Sequence, residues 1–251
     1  GRMLHSPKSR NGLAAVLARW SRIEPLTLMA IAVPAGVVLA FATLGRAVGA
    51  GSTRAFDEAI LLAMRTPGNL ADPVGPLWFQ EMVRDFTALG STGVLTFMVL
   101  AIAGFLTMTR KGQAAVFIIL SVGGGVLISE TMKAFYDRAR PDLVPHGAEV
   151  YSASFPSGHS MLSAVVYLTL GALVARTQAD RGVKRYIVTL AAILTIFVGT
   201  SRVYLGVHWP TDVLAGWALG GAWALVCWFV MTWLQSRGEV EPEANGSGAA
   251  S

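Results

Sequence analysis

Long apolar runs separated by short polar breaks dominate the chain, and they predict helices rather than strands. Six runs stand out, at 26–44, within 86–109, and at 112–129, 160–175, 186–201 and 213–233. A helix that crosses a bilayer needs about 20 mostly apolar residues, with a range of roughly 17 to 25. The fourth and fifth runs are short by that measure, so their ends must extend into uncharged flanks or lie against protein. Between the first two runs, residues 50–85 carry a different pattern. In "RAFDEAILLAMR", Phe56, Ile60 and Met64 recur at helical spacing. This predicts an amphipathic helix at the outer interface, with Trp78 and Phe79 available to anchor at headgroups. The segment reads as a packed surface helix or as a lid over a lipid substrate.

Composition supports this pattern. The 251 residues are 53% hydrophobic and 14% charged, where a soluble domain carries about 25% charged residues. Mean hydropathy is +0.54. The expected fold class is therefore all-α: a polytopic membrane protein with a six-helix bundle and an outer-face amphipathic segment between helices 1 and 2. Its core spans 26–236, between a basic segment at 1–25 and a flexible tail at 237–251. Gly1-Arg2-Met3 reads as added residues before a native start, and no cleavable signal is evident. Cys227 stands alone inside an apolar run, which rules out an internal disulfide framework and marks a packing residue. Glycines at 123–125 and the Gly216-to-Gly220 spacing predict close helix contacts.

The net charge of +5 belongs to loops. With a cytoplasmic N-terminus, twelve of the 20 basic residues fall on the cytoplasmic side, including Arg110, Lys111, Arg176, Arg181, Lys184 and Arg185. Both termini are then cytoplasmic, and 130–159 and 202–212 share the outer face. The positive charge thus points to anionic lipid and a bilayer partner, not nucleic acid.

Three clusters meet on that outer face: "KAFYDRARP", "PSGH" and "SRVYLGVHWPTD". Lys133, Arg140 and Arg202 are cations without a matching excess of acids, a set that suits phosphate. Ser157 and Gly158 precede a helix, whose first backbone N–H groups form an anion site. His208 and Asp212 lie four apart. An Asp that accepts from one ring nitrogen fixes the tautomer and leaves the other nitrogen free to attack. His159 supplies a second imidazole, able to protonate a leaving oxygen and then to activate water. No metal-ligand spacing is evident, so neither a metal nor another cofactor is expected. Glu130, Tyr136, Asp137, Arg138, Asp142 and His146 read mostly as structural ion pairing.

Taken together, Lys133–six residues–Arg140-Pro141, Pro156-Ser157-Gly158-His159, and Ser201-Arg202–five residues–His208–three residues–Asp212 resemble the three-part signature of the type 2 phosphatidic acid phosphatase superfamily. The resemblance implies a metal-independent phosphatase of membrane lipids, with its active site at the outer leaflet of a bacterial inner membrane. It implies His208 as nucleophile, Asp212 as its orienter and His159 as general acid/base. Lys133, Arg140, Ser157, Gly158 and Arg202 would bind phosphate. Expected substrates are prenyl pyrophosphates such as undecaprenyl pyrophosphate, phosphatidylglycerophosphate, phosphatidic acid and lipid A phosphates. A vanadium haloperoxidase shares such a pocket but is soluble. A phosphotransferase, or a lipid-binding protein that lost turnover, are the other readings.

Overall fold

The computed structural model describes residues 25–148 and 152–236. The basic segment up to residue 24 and the tail at 237–251 lie outside the described residues. Within them the elements are α1 (Pro25–Gly49), α2 (Arg54–Ala63), a hairpin of β1 (Arg65–Thr66) and β2 (Asn69–Pro73), α3 (Leu77–Thr87), a 3₁₀ turn (Ala88–Gly90), α4 (Thr92–Met108), α5 (Gly112–Tyr136), α6 (Gly158–Arg176), α7 (Arg181–Tyr204) and α8 (Pro210–Ser236). The hairpin is the one departure from an all-helical chain among these residues, and it is antiparallel and short.

Among the described residues, five helices are long and apolar enough to cross a membrane. Residues 77–90 and α4 meet at 52° and, counted together as one span, make a sixth. The bend falls where Ser91 leaves helical geometry and accepts a hydrogen bond from Val94 N at 3.3 Å, capping α4. The apolar runs underestimate several helices. α5 continues past residue 129 through Glu130 and Lys133, whose side chains pair at 2.8 Å across one turn. α7 begins at Arg181 because Asp180 caps it through Val183 N at 2.8 Å. Large apolar side chains such as Phe97, Phe105, Leu127 and Phe135 are exposed on the outside of the bundle, as lipid contact requires.

α6 is the central helix. Of its membrane window 61% is buried, against 17–44% for the other four single-helix spans. It packs most extensively on α7 and α8. The α6–α8 contact depends on the small residues singled out above. A Cβ at Gly216 would lie 2.7 Å from Ser157 O, and one at Gly220 would lie 2.5 Å from Met161 O. Any side chain there pushes the two backbones apart. Gly124 likewise admits the Trp223 ring, whose Nε1 donates to Ser121 O at 2.7 Å, whereas a Cβ at Gly123 would meet open space. Toward the other end of the bundle, Leu95, Val99, Ile118, Val166 and Leu170 belong to one apolar core.

The segment between α1 and α3 docks on protein. Leu61 is fully buried with Val144, Val203, Trp209 and Val213, and Ile60 and Met64 pack against the same group. Phe56 stays half exposed, while its neighbour Asp57 is fully buried. Trp78 is exposed, and Phe79 turns inward, edge-on to Tyr204 with centroids 5.6 Å apart. Arg65, from the hairpin, donates to Tyr204 O at 2.9 Å and fastens this segment to the end of α7.

Candidate active site

The ends of α5, α6 and α7, Arg140 and Ser152 from between α5 and α6, and the 205–209 loop surround one cavity of about 270 Å³. Six of the eight residues expected from sequence line it: Lys133, Arg140, Gly158, His159, Arg202 and His208. Thr92, Glu130, Ser152 and Leu162 complete the walls. The three motifs, far apart in the chain, therefore converge. Asp212 stands directly behind His208, and Ser157 lies behind Gly158.

The start of α6 gives the cavity its floor. Ser157 is fully buried and acts as the helix cap. Its Oγ accepts from Ser160 N at 3.4 Å and from Ser160 Oγ at 2.9 Å. Its own N–H donates to Asp212 O at 3.0 Å, tying the starts of α6 and α8 together. The Ser157 backbone amide is thus already engaged. The next two amides, Gly158 and His159, have no hydrogen-bond partner among the described residues. They are free donors at a helix N-terminus, where the backbone dipoles favour an anion. Glycine at 158 leaves room for a cation: a Cβ there would lie 3.1 Å from Lys133 Nζ and would displace the ammonium by a few tenths of an ångström.

The cations are not equivalent. Lys133 pairs with Glu130, which is itself exposed, an ion pair of the kind expected for Glu130; among the three cations acids remain in the minority. Arg140 donates through Nε to Ser152 O at 2.8 Å and through Nη1 to Val207 O at 2.7 Å. Burial lowers its pKa from the ordinary arginine value, with Asp212 opposing. Arg202 is almost wholly buried; its Nη1 donates to Thr87 Oγ1 at 3.2 Å, and its Nε lacks a partner among the described residues. A buried guanidinium with an unused N–H is costly unless an anion completes it.

His208 divides the site. Gly206, at φ +71°, lets the loop turn there, and a Cβ would fall 2.6 Å from Val144 Cγ2. The ring is 2% exposed. Nε2 lies 3.1 Å from Arg140 Nη1 on the cavity side. A guanidinium can only donate, so Nε2 carries the lone pair and the proton resides on Nδ1. Nδ1 faces Ser154 Oγ at 3.3 Å and Asp212 Oδ2 at 3.5 Å. Ser154 donates to the same Asp212 oxygen, so its own oxygen is left to accept from the ring. This tautomer leaves Nε2 able to attack. Burial pushes the His208 pKa down to about 4, with the Asp212 hydrogen bond opposing that effect. The ring is neutral at physiological pH.

Of the four groups behind His208, sequence reasoning read Arg138 as structural ion pairing, which it makes, and missed the other three. Asp57 on α2, Arg138 in the 137–157 loop, Thr211 on α8 and Ser154 form a buried network with Asp212. Asp57 Oδ1 accepts from Thr211 N at 2.9 Å, and Oδ2 accepts from Thr211 Oγ1 at 2.8 Å and Arg138 Nη2 at 2.7 Å. Arg138 Nη1 donates to Asp212 Oδ1 and to Thr211 Oγ1, the latter at 2.8 Å. The available signal was Asp57 itself, an acid in the register of the apolar side of α2. Among the described residues no group of three or more His, Cys, Asp or Glu could hold a metal ion.

A helical membrane bundle that presents free amides, guanidinium groups and two imidazoles to one cavity has the architecture of a membrane phosphatase. Residues 114–236 match the PAP2 superfamily. Phosphatidylglycerophosphatase B of Bacillus subtilis is 34% identical over 191 residues, which cover 74% of this chain and 89% of that protein. An undecaprenyl-diphosphatase of Sulfolobus acidocaldarius is 34% identical over 88 residues, 35% of this chain and 36% of that one. The crystal structure of a transmembrane PAP2-type phosphatidylglycerolphosphate phosphatase from Bacillus subtilis superposes with a TM-score of 0.73 at 29% identity, covering 80% of this chain and 97% of that chain. The chain belongs to the PAP2 superfamily, as its three motifs anticipate, and is an integral membrane lipid phosphatase.

Proposed function

We propose that the protein removes the terminal phosphate of a membrane lipid through a phosphohistidine on His208, and that phosphatidylglycerophosphate is its substrate. The observation that carries the reaction is the cavity shared by His159, His208 and three cations. The phosphoryl group enters between Lys133, Arg140, Arg202 and the amides of Gly158 and His159, and Ser157 holds the helix start that presents those amides. Its oxygens draw Arg140 away from Nε2, which frees the lone pair. His208 Nε2 attacks phosphorus, the P–O bond to the lipid breaks, and His159 gives its proton to the leaving oxygen. Asp212 and Ser154 hold Nδ1–H through this step. His159 then takes a proton from water, which attacks phosphorus, breaks the P–N bond and releases inorganic phosphate. The cations act on charge gathered at the equatorial oxygens.

The substrate rests on the relative matched along 89% of its length, a phosphatidylglycerophosphatase. Shorter matches to an undecaprenyl-diphosphatase and to a lipid A 1-phosphatase of Rhizobium etli make those lipids the competing substrates. The distribution of Lys and Arg supports a site facing the outside of the inner membrane, with a cytoplasmic basic segment at 1–25, the helical core at 26–236 and a cytoplasmic tail at 237–251.

The test is phosphate release by purified protein in detergent with EDTA, using phosphatidylglycerophosphate, undecaprenyl pyrophosphate, phosphatidic acid and lipid A in parallel. A labelled substrate should leave an acid-labile phosphoenzyme that His208→Ala lacks. A strict need for added divalent metal, or substantial turnover by His208→Ala, overturns the mechanism; a preference for another lipid overturns the substrate. A cysteine introduced at residue 148 should react with an impermeant reagent from outside, and labelling only from the cytosol reverses the topology.

A further inference from the structure

Asp57 belongs to none of the three motifs, yet it is as buried as Asp212. Every partner it has is a donor: Thr53 Oγ1, Thr211 N, Thr211 Oγ1 and Arg138 Nη2. It caps the first turn of α8, the helix that carries Asp212, by taking the Thr211 amide. Arg138 bridges the two carboxylates, with side chains of Asp57 and Asp212 at 0% exposure and Arg138 at 15%. Leu61 and the face of Trp209 seal the site, and the Arg54 and Arg138 guanidiniums sit 4.9 and 5.6 Å from the Trp209 ring centre. Two buried carboxylates share one buried cation, so the group carries one negative charge in excess. Such an excess is costly in a dry site unless a positive charge arrives beside it.

The reaction proposed above delivers that charge. When Nε2 bonds to phosphorus while Nδ1 keeps its proton, the imidazole ring becomes cationic. We propose that Asp57 is a positioning residue for phosphoryl transfer: through Arg138 it leaves Asp212 with the uncompensated negative charge that balances the cationic ring of phosphorylated His208. The same contacts hold Asp212 in place, so α2 fastens the back of the active site from outside the motif segments. This inference rests on the phosphohistidine reading.

Other charges also face His208: Arg140 from the 137–157 loop, Arg202 from α7, Lys133 from α5, His159 from α6 and Asp212 from α8. All are constant across the variants that test the proposal. Asp57→Asn keeps the shape and, through its one oxygen, the contact with the Thr211 amide, but it turns an NH2 toward Thr211 Oγ1 and Arg138 and removes one negative charge, bringing the group to neutral. Arg138→Met leaves two negative charges. The double variant Asp57→Asn/Arg138→Met restores the native count of one.

The readouts are the acid limb of kcat/KM against pH, and the single-turnover rate of phosphoenzyme formation. A negative charge removed near His208 lowers its pKa, so the acid limb of Asp57→Asn should move to lower pH, that of Arg138→Met to higher pH, and that of the double variant back toward the native position. Asp57→Asn should form phosphoenzyme about 10- to 100-fold more slowly, with KM nearly unchanged. A capping role alone would lower the melting temperature without this charge-ordered movement, and that result overturns the proposal. Where Asp57→Asn fails to fold, the step from Arg138→Met to the double variant isolates the same charge, and an unmoved limb there is equally fatal. The two readings fail separately: loss of the native phosphoenzyme removes the mechanism, whereas an intact phosphoenzyme with no charge ordering removes only the role of Asp57.

Discussion

The two sides of the His208 ring are built from opposite charges. In front, Lys133, Arg140 and Arg202 line an open cavity, with amides of α6 between them. Behind, Asp57 and Asp212 share Arg138 in a closed network in which both carboxylates are fully buried. The front has donors to spare, such as Arg202 Nε, while behind the ring each described carboxylate oxygen accepts a hydrogen bond. Unsatisfied donors are tolerated where a ligand is to bind; satisfied ones hold a side chain still. The difference assigns binding to one side of the ring and orientation to the other.

The sharpest break in this comparison removes the ring between the two sides. His208→Ala should lower phosphate release by at least about 10³-fold with the fold retained, judged by turnover and by unchanged gel-filtration behaviour. On the front, Arg202→Ala should cost about 10²- to 10³-fold in kcat/KM, because it removes a preorganised donor to a developing charge. An equal loss from Arg140→Ala would support their joint action on one phosphoryl group. On the back, Ser154→Ala should cost only about tenfold, since Asp212 still faces Nδ1. Steady-state kinetics should place that loss in kcat rather than KM.

The smallest effect is on stability. The folded His208 ring has a pKa of about 4, against an ordinary value of 6.5. Between those values the unfolded chain takes up a proton that the folded ring refuses, so stability should fall as pH drops from 6.5 toward 4. Above pH 6.5 the ring makes no pH-dependent contribution. Thermal unfolding in detergent at pH 7 and pH 4.5 should show a smaller difference for His208→Gln than for the native protein.

Much of this was legible beforehand. Apolar runs located the spans, and the three motifs named the cavity's lining residues, because membrane helices and phosphate sites both demand residue types that are rare elsewhere. Helix ends were less legible. Apolarity alone stopped α5 short of Glu130 and Lys133, although charged residues continue a helix when they pair across a turn. The 52° bend before α4 falls at Gly90-Ser91, with Gly93 close behind, a turn signal that the continuous apolar pattern of 86–109 masked. Ser157 reads as a phosphate donor in the motif; the fold adds a second role, since its hydroxyl oxygen also caps α6.

By itself, the sequence determined that the chain enters a bilayer as helices and that its exceptional polar residues form a set suited to binding phosphate. Hydrophobic length and residue type are local properties, and they act before any tertiary contact forms. Only the tertiary structure decided which acid stands behind which base. Asp57 and Asp212 are 155 positions apart, and the register that turns Asp57 inward does not say which groups it meets until the helix docks. Leu61 packing on Trp209 is what removes that carboxylate from water and couples it, through Arg138, to the residue that orients His208.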